Sequence, residues 1–91
     1  MSSGGGYEIR IKASAEKEMD ALPPRVFPRV SQAILRLESS PRPRGCIRLR
    51  GREEYRLRVG QHRVLYVVDD TARVVQIVAV RHRKDVYRPG S

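Results

Sequence analysis

Apolar residues recur along this chain with two different periods, and the period changes near the middle. Tyr7-Glu8-Ile9-Arg10-Ile11 alternates apolar and polar positions, which predicts a strand. From Ser14 the spacing turns helical. Ala15, Met19 and Leu22 share a stripe, Ser14 is placed to cap the first turn, and Glu16 and Glu18 complement the positive start of the helix. Pro23-Pro24 ends it. A second helix is predicted from about Arg25–Phe27 to Ser39, with Val26 or Phe27, Val30, Ala33, Ile34 and Leu37 as its apolar stripe. Pro28 fits only in the first turn of that helix, where no backbone donor is needed, and Pro41-Arg42-Pro43 blocks any continuation.

From Cys46 the period is two. Ile47 and Leu49 alternate with Arg48 and Arg50, and Tyr55, Leu57 and Val59 alternate with Arg56 and Arg58. The segments 64–68 and 74–80 are nearly continuous Val-rich runs, as expected of central strands covered on much of both faces. The order strand, two helices, then three or four strands predicts an α+β fold with mainly antiparallel strands and both helices on one sheet face. Gly60-Gln61 suits a two-residue type II′ turn. That turn sets Val59 opposite His62, Arg58 opposite Arg63, Leu57 opposite Val64 and Tyr55 opposite Tyr66. Because opposed residues share a face, Tyr55, Leu57, Val59, Val64, Tyr66 and Val68 form a core surface, and Arg56, Arg58 and Arg63 gather on the other side.

Composition sharpens this picture. Ninety-one residues make one domain, expected over 7–91 behind a Gly/Ser-rich tail at 1–6. One cysteine excludes an internal disulfide framework and suits a reducing cytoplasm; Cys46 is expected to be a small buried side chain. There is no signal-peptide pattern, and no apolar run approaches the ~18 residues of a membrane span. The net charge is +9, divided as +1 over residues 1–40 and +8 over 41–91, and sixteen of the nineteen cations are Arg. A GC-rich genome would inflate Arg throughout a chain but would not collect charge in one half. Guanidinium groups grip phosphate oxygens in pairs, so the asymmetry points to a polyanion partner.

Opposed arginines destabilise a sheet by roughly 0.2–1 kcal/mol, so a sequence indifferent to function would place Thr or Glu at one of these positions. The alternative is a solvated face with its arginines in water. A second basic group, Arg81-His82-Arg83-Lys84, ends the next strand, and the pattern leaves open which of Arg81 and Arg83 shares the face.

Leu49-Arg50-Gly51, Tyr55-Arg56-Leu57-Arg58-Val59-Gly60, Arg63-Val64-Leu65-Tyr66 and His82-Arg83-Lys84-Asp85-Val86-Tyr87-Arg88, in this order and at these spacings, closely resemble the RelE/ParE toxin superfamily, its RelE branch in particular. The resemblance runs from about Tyr7 to Arg88. It implies a toxin of a type II toxin–antitoxin pair, a ribosome-dependent endoribonuclease that cleaves mRNA in the A site without metal or other cofactor. It also implies a cognate antitoxin; the free toxin is expected to be a cytoplasmic monomer that forms a hetero-oligomer with it. An acidic or helical antitoxin segment is expected to cover the arginines or displace the C-terminal tail. By the same resemblance Arg56 and Arg58 bind RNA, Arg63 stabilises the reacting phosphate, Arg83 is a second phosphate ligand or acid, and Tyr87 stacks on a base or assists proton transfer. Arg48, Arg50, Arg81 and Lys84 complete the expected phosphate-binding set.

Cleavage by ribose 2′-OH attack needs guanidiniums that stabilise the pentacoordinate phosphate more than the ground state, one proton removed from the 2′-OH and one delivered to the leaving 5′-oxygen. At positions 56 and 58 this chain has Arg where the best-known RelE pattern has Lys, and an Arg side chain does not serve as a base near neutral pH. Tyr87, a phenol among arginines, is one substitute; His82 is another, because imidazole changes charge near neutrality. His62 is expected on the core side or its edge. Asp69-Asp70 is expected to form a turn, and no metal-ligand spacing is present. Two other functions fit parts of the pattern: a non-enzymatic ParE-like toxin that inhibits DNA gyrase, and a plain nucleic-acid-binding module. The small number of aromatics, four Tyr and one Phe, disfavours the last.

Overall fold

The computed structural model describes residues 6–49 and 54–82. Seven elements follow one another: β1 (Glu8–Ile11), α1 (Ala13–Asp20), α2 (Phe27–Arg36), β2 (Cys46–Arg48), β3 (Glu54–Val59), β4 (His62–Asp69) and β5 (Val74–His82). The strands form one sheet in the order β1-β5-β4-β3-β2, in which β1 runs parallel to β5 and every other pair is antiparallel. The α+β class, the strand–helix–helix–strands order and the single helical layer agree with the sequence pattern.

The sheet, rather than a side-chain cap, sets the start of α1. Lys12 donates its backbone N–H to the Ile77 carbonyl, still in register with β5, and its own carbonyl then accepts the Glu16 N–H. The N-cap is therefore Lys12, with no side-chain cap bond, and Ser14, expected as the cap, lies inside the helix. In α2, Pro28 falls in the first turn as the sequence requires. The helix closes at Arg36, and the N–H groups of Leu37, Glu38 and Ser39 tighten onto carbonyls three residues back, so the turn expected to be helical to Ser39 is present in 3₁₀-like form. Val26, not Phe27, supplies the first residue of the buried stripe.

Ala15 and Met19 of α1 and Val30, Ile34 and Leu37 of α2 pack on Tyr55, Leu57, Val64, Tyr66, Val68, Val75, Ile77 and Val80. Each fully buried aliphatic side chain contributes roughly 1.5–3 kcal/mol, which makes this face the main source of stability. Tyr55 and Tyr66 stack with ring centroids 5.7 Å apart. The Tyr66 hydroxyl donates to the Pro41 carbonyl at 2.8 Å, and burial pushes its ionisation above the ordinary tyrosine range. Cys46 is only half-buried, beside Tyr66, because its short strand lies at the sheet edge.

A network that the sequence pattern did not predict fastens the proline loop to the β4–β5 turn. The Arg42 guanidinium donates to both Asp70 carboxylate oxygens (3.2 and 2.7 Å) and, through Nε, to the Tyr55 hydroxyl (2.7 Å). The Tyr7 hydroxyl donates to the same carboxylate at 2.7 Å. These donors hold the Asp70 carboxyl below its usual range. Asp69-Asp70 does introduce the turn, with Asp69 accepting the Ala72 N–H.

No helix among the described residues is long and apolar enough to cross a membrane.

Candidate functional site

The β3–β4 hairpin has the register that its turn residues dictate: Val59 faces His62, Arg58 faces Arg63, Leu57 faces Val64 and Tyr55 faces Tyr66. Gly60 has φ +61 and Gln61 is not in the positive-φ region, the combination a type II′ turn needs. In a two-residue hairpin the pair next to the turn-flanking pair lacks mutual backbone bonds, so the Arg58 and Arg63 backbones approach to roughly 4.5 Å. Arg56 lies two residues back on the same face.

The next strand brings a third guanidinium into line. Arg81 of β5 stands directly opposite Arg63, so Arg58, Arg63 and Arg81 form a row across three adjacent strands. A β-bulge puts it there. Leu65 pairs with Ala79 and Tyr66 with Ile77, which leaves Val78 without a counterpart. Up to Ile77 the odd-numbered residues of β5 face the core. Beyond Val78 the parity inverts, so Val80 is buried and Arg81 emerges on the arginine face. Of the two arginines that the pattern left open, Arg81 lies opposite Arg63 on the arginine face; position 83 lies outside the described residues, as do Arg50, Lys84, Asp85 and Tyr87.

Burial divides the row. Arg63, in the middle, is only 8% exposed, and its Nη1 is shielded from solvent. Arg58 and Arg81 are exposed flanks. A row of three contains two opposed like-charge pairs, worth roughly 0.4–2 kcal/mol of destabilisation together. Asp70 holds Arg42, and Glu8 holds Arg10. Glu18 of α1 accepts from Arg81 Nε at 2.9 Å. Arg58 donates to the Gly60 carbonyl at 3.3 Å. It also borders a cleft of about 470 Å³ between β3 and α2, whose other cations are Arg29, Arg36 and Arg44.

Two of the expected site residues do not join the row. Arg48 pairs with Tyr55, so strand alternation puts it on the core side, while Ile47, opposite Arg56, occupies the arginine face and is 51% exposed. His82 faces His62 across β4–β5, and the bulge that delivers Arg81 sends His82 to the side of Val64 and Val80. The two imidazoles meet edge to face, centroids 5.1 Å apart, beside the C-terminal end of α1. His62 therefore lies where the hairpin register implied. Among the described residues no three His, Cys, Asp or Glu side chains are grouped so as to hold a metal ion.

A mixed sheet carrying a two-helix layer on one face and a row of guanidiniums on the other defines a class of small basic toxins. This chain belongs to the RelE/ParE superfamily of type II toxin–antitoxin toxins: the family described as the ParE toxin of the parDE system matches residues 9–87. Toxin RelG of Mycobacterium tuberculosis is 33% identical over 84 residues, covering 90% of this chain and 97% of the relative. Among solved structures, the toxin–antitoxin complex RelBE2 of M. tuberculosis gives a TM-score of 0.76 at 31% identity, with 86% of this chain and 99% of the other covered. The archaeal RelE–RelB complex of Pyrococcus horikoshii gives 0.75 at 27% identity, covering 91% and 97%.

Proposed function

We propose that this toxin is a ribosome-dependent endoribonuclease that cleaves mRNA in the A site and is neutralised by a cognate antitoxin. The observation that carries this reading is the Arg58–Arg63–Arg81 row. Its chemistry suits a phosphodiester that gains negative charge in the transition state. Arg63, the least hydrated of the three, is suited to the non-bridging oxygens, because a desolvated guanidinium interacts with an anion more strongly than an exposed one. Arg58 and Arg56 on β3 bind the flanking strand of message. Arg81 stands where it can hold the same phosphate from the other side or stabilise the leaving 5′-oxygen.

The ribose 2′-OH attacks phosphorus, the bond to the 5′-oxygen breaks, and a 2′,3′-cyclic phosphate and a 5′-hydroxyl result. His82 points to the core side of the sheet, so proton transfer is assigned to Tyr87 rather than to His82. Neither step calls for a metal ion. The solved complexes pair RelE-type chains with RelB partners. By analogy the partner here is a RelB-like antitoxin, with acidic or helical segments over the +8 half of the chain.

The second reading, a gyrase-inhibiting toxin of the ParE kind, draws on the family description itself. One experiment separates the two. Purified toxin is incubated with programmed ribosomes and, in parallel, with gyrase and relaxed plasmid. A-site cleavage that Arg63→Ala reduces at least a hundredfold supports the nuclease. Intact message with blocked supercoiling refutes it and establishes the alternative.

A further inference from the structure

β5 is longer than its parallel neighbour. β1 ends at Ile11, opposite Ile77, and the chain turns into α1, so the last turnings of β5 border no strand on that side among the described residues. One side chain of α1 occupies the vacated edge. Glu18 accepts the backbone N–H of Val80 through Oε1 at 2.8 Å and Nε–H of Arg81 through Oε2 at 2.9 Å. The carboxylate thus takes the place of a strand for one residue and grips the side chain of the next.

We propose that Glu18 is a positioning residue for Arg81, an inference that rests on the nuclease reading given above. Three observations combine. The Glu18 side chain is only 31% exposed, so its charge is partly removed from water and its contacts are less screened than a surface pair. Its second oxygen is tied to the backbone, which fixes where the carboxylate sits and hence where it can hold a guanidinium. Arg81, in turn, faces Arg63 across the sheet, at one of the two exposed ends of the row. The contact uses Nε alone among the Arg81 donors, and the Nη groups carry the remaining fork that recognises phosphate oxygens. Glu18 also offsets the repulsion that would drive Arg81 away from Arg63. Binding a flexible arginine in advance removes the entropy of ordering it when message arrives.

The role is tested with Glu18→Gln, Arg81→Ala and the double variant. Gln retains an oxygen for the Val80 N–H but presents no anion to Arg81. With Arg81 present, Glu18→Gln is expected to lower kcat for message cleavage about tenfold, within the range of coupling between residues in contact. In the Arg81→Ala background the same change is expected to have no effect. In parallel, the side-chain Nε–Hε resonance of Arg81 is followed by NMR, and affinity is measured for a short 2′-O-methyl RNA that cannot be cleaved. The Hε proton exchanges slowly in the wild type and rapidly in Glu18→Gln, and the RNA binds more weakly to the variant.

An equal loss in both backgrounds, accompanied by a lower Tm, would make Glu18 a residue of the fold only and overturn the proposal; so would wild-type kinetics for Glu18→Gln. If the wild type leaves message intact, the nuclease reading falls. The Hε exchange and the RNA affinity then decide the role of Glu18 by themselves, and no change in either refutes it.

Discussion

Replacing Arg58 by Thr should make this protein more stable and less able to bind RNA. Arg58 lies opposite Arg63 in the second pair from the hairpin turn, a non-hydrogen-bonded pair in which side chains on the same face come closest. Removing an opposed like charge returns roughly 0.2–1 kcal/mol, and a β-branched residue suits the strand position. The variant forfeits the Arg58 Nε contact with the Gly60 carbonyl, a long 3.3 Å bond at the surface whose loss offsets a few tenths of a kcal/mol of that, on the order of the low end for hydrogen bonds. A net gain of about 0.5 kcal/mol raises Tm by roughly 2–4 °C in a chain of this size. The gain is electrostatic, so 1 M salt, with a Debye length of about 3 Å, should shrink it towards the propensity term alone. Thermal unfolding at 20 mM and 1 M salt measures both quantities. Binding to single-stranded RNA should weaken, with the slope of log K against log salt reduced by about 0.7. A variant that is less stable at low salt, or a difference indifferent to salt, would refute the claim that these arginines are held against their mutual repulsion.

Gly60→Ala should cost about 1–2 kcal/mol in urea unfolding: a Cβ there meets no atom within 4 Å, and the penalty comes from φ +61 alone. Asp70, whose folded carboxyl is held below its ordinary value by Arg42 and Tyr7, contributes stability that is present above the unfolded pKa and lost as pH falls through the depressed folded value. Acid titration of stability should therefore steepen below about pH 4 in the wild type and be flatter in Asp70→Asn. Tyr66→Phe should cost about 0.5–1.5 kcal/mol through the lost bond to Pro41. It should also remove from the alkaline tyrosine titration the component that burial delays, that of Tyr66.

What could be read from the sequence was whatever depends on local period. Two helices broken at Pro23-Pro24, a hairpin at Gly60-Gln61 and the face shared by Arg56, Arg58 and Arg63 all follow from spacing, because side-chain direction in a strand or helix is fixed by position along it. The sequence signal weakens where direction depends on a neighbour. Ser14 has the chemistry of a cap, yet the bond between Lys12 and Ile77 decides where the helix begins. Arg48 alternates with Ile47 in a pattern that suits either face, and only the pairing with Tyr55 shows that it turns to the core side. Glu18 reads as a helix-start acid by composition; its partners lie sixty residues away on a strand that extends past its neighbour. A carboxylate near the end of a short helix, followed in sequence by a β-strand longer than its parallel partner, is the signal that could have identified it.

The bulge at Val78 is the least legible feature and the one on which the site most depends. The run from Val74 to Val80 contains no Gly or Asn to mark an extra residue, and nearly every side chain in it is apolar, so either parity would have filled the core. With regular alternation beyond the Tyr66–Ile77 pair, Arg81 would point with Val75 and Ile77 into the helix-covered interior, Val80 would stand opposite Arg63, and His82 would lie on the arginine face beyond it. The insertion exchanges the two. It brings the Arg81 guanidinium to the arginine face and turns the His82 imidazole to the core side. The same shift lifts the Val80 N–H and the Arg81 Nε to one carboxylate of α1. A single unpaired residue thereby sets which cation joins the row and which acid holds that cation. The physical cost falls on a fold that must already tolerate opposed arginines, and the core packed by α1 and α2 on the opposite face is what makes that tolerance possible.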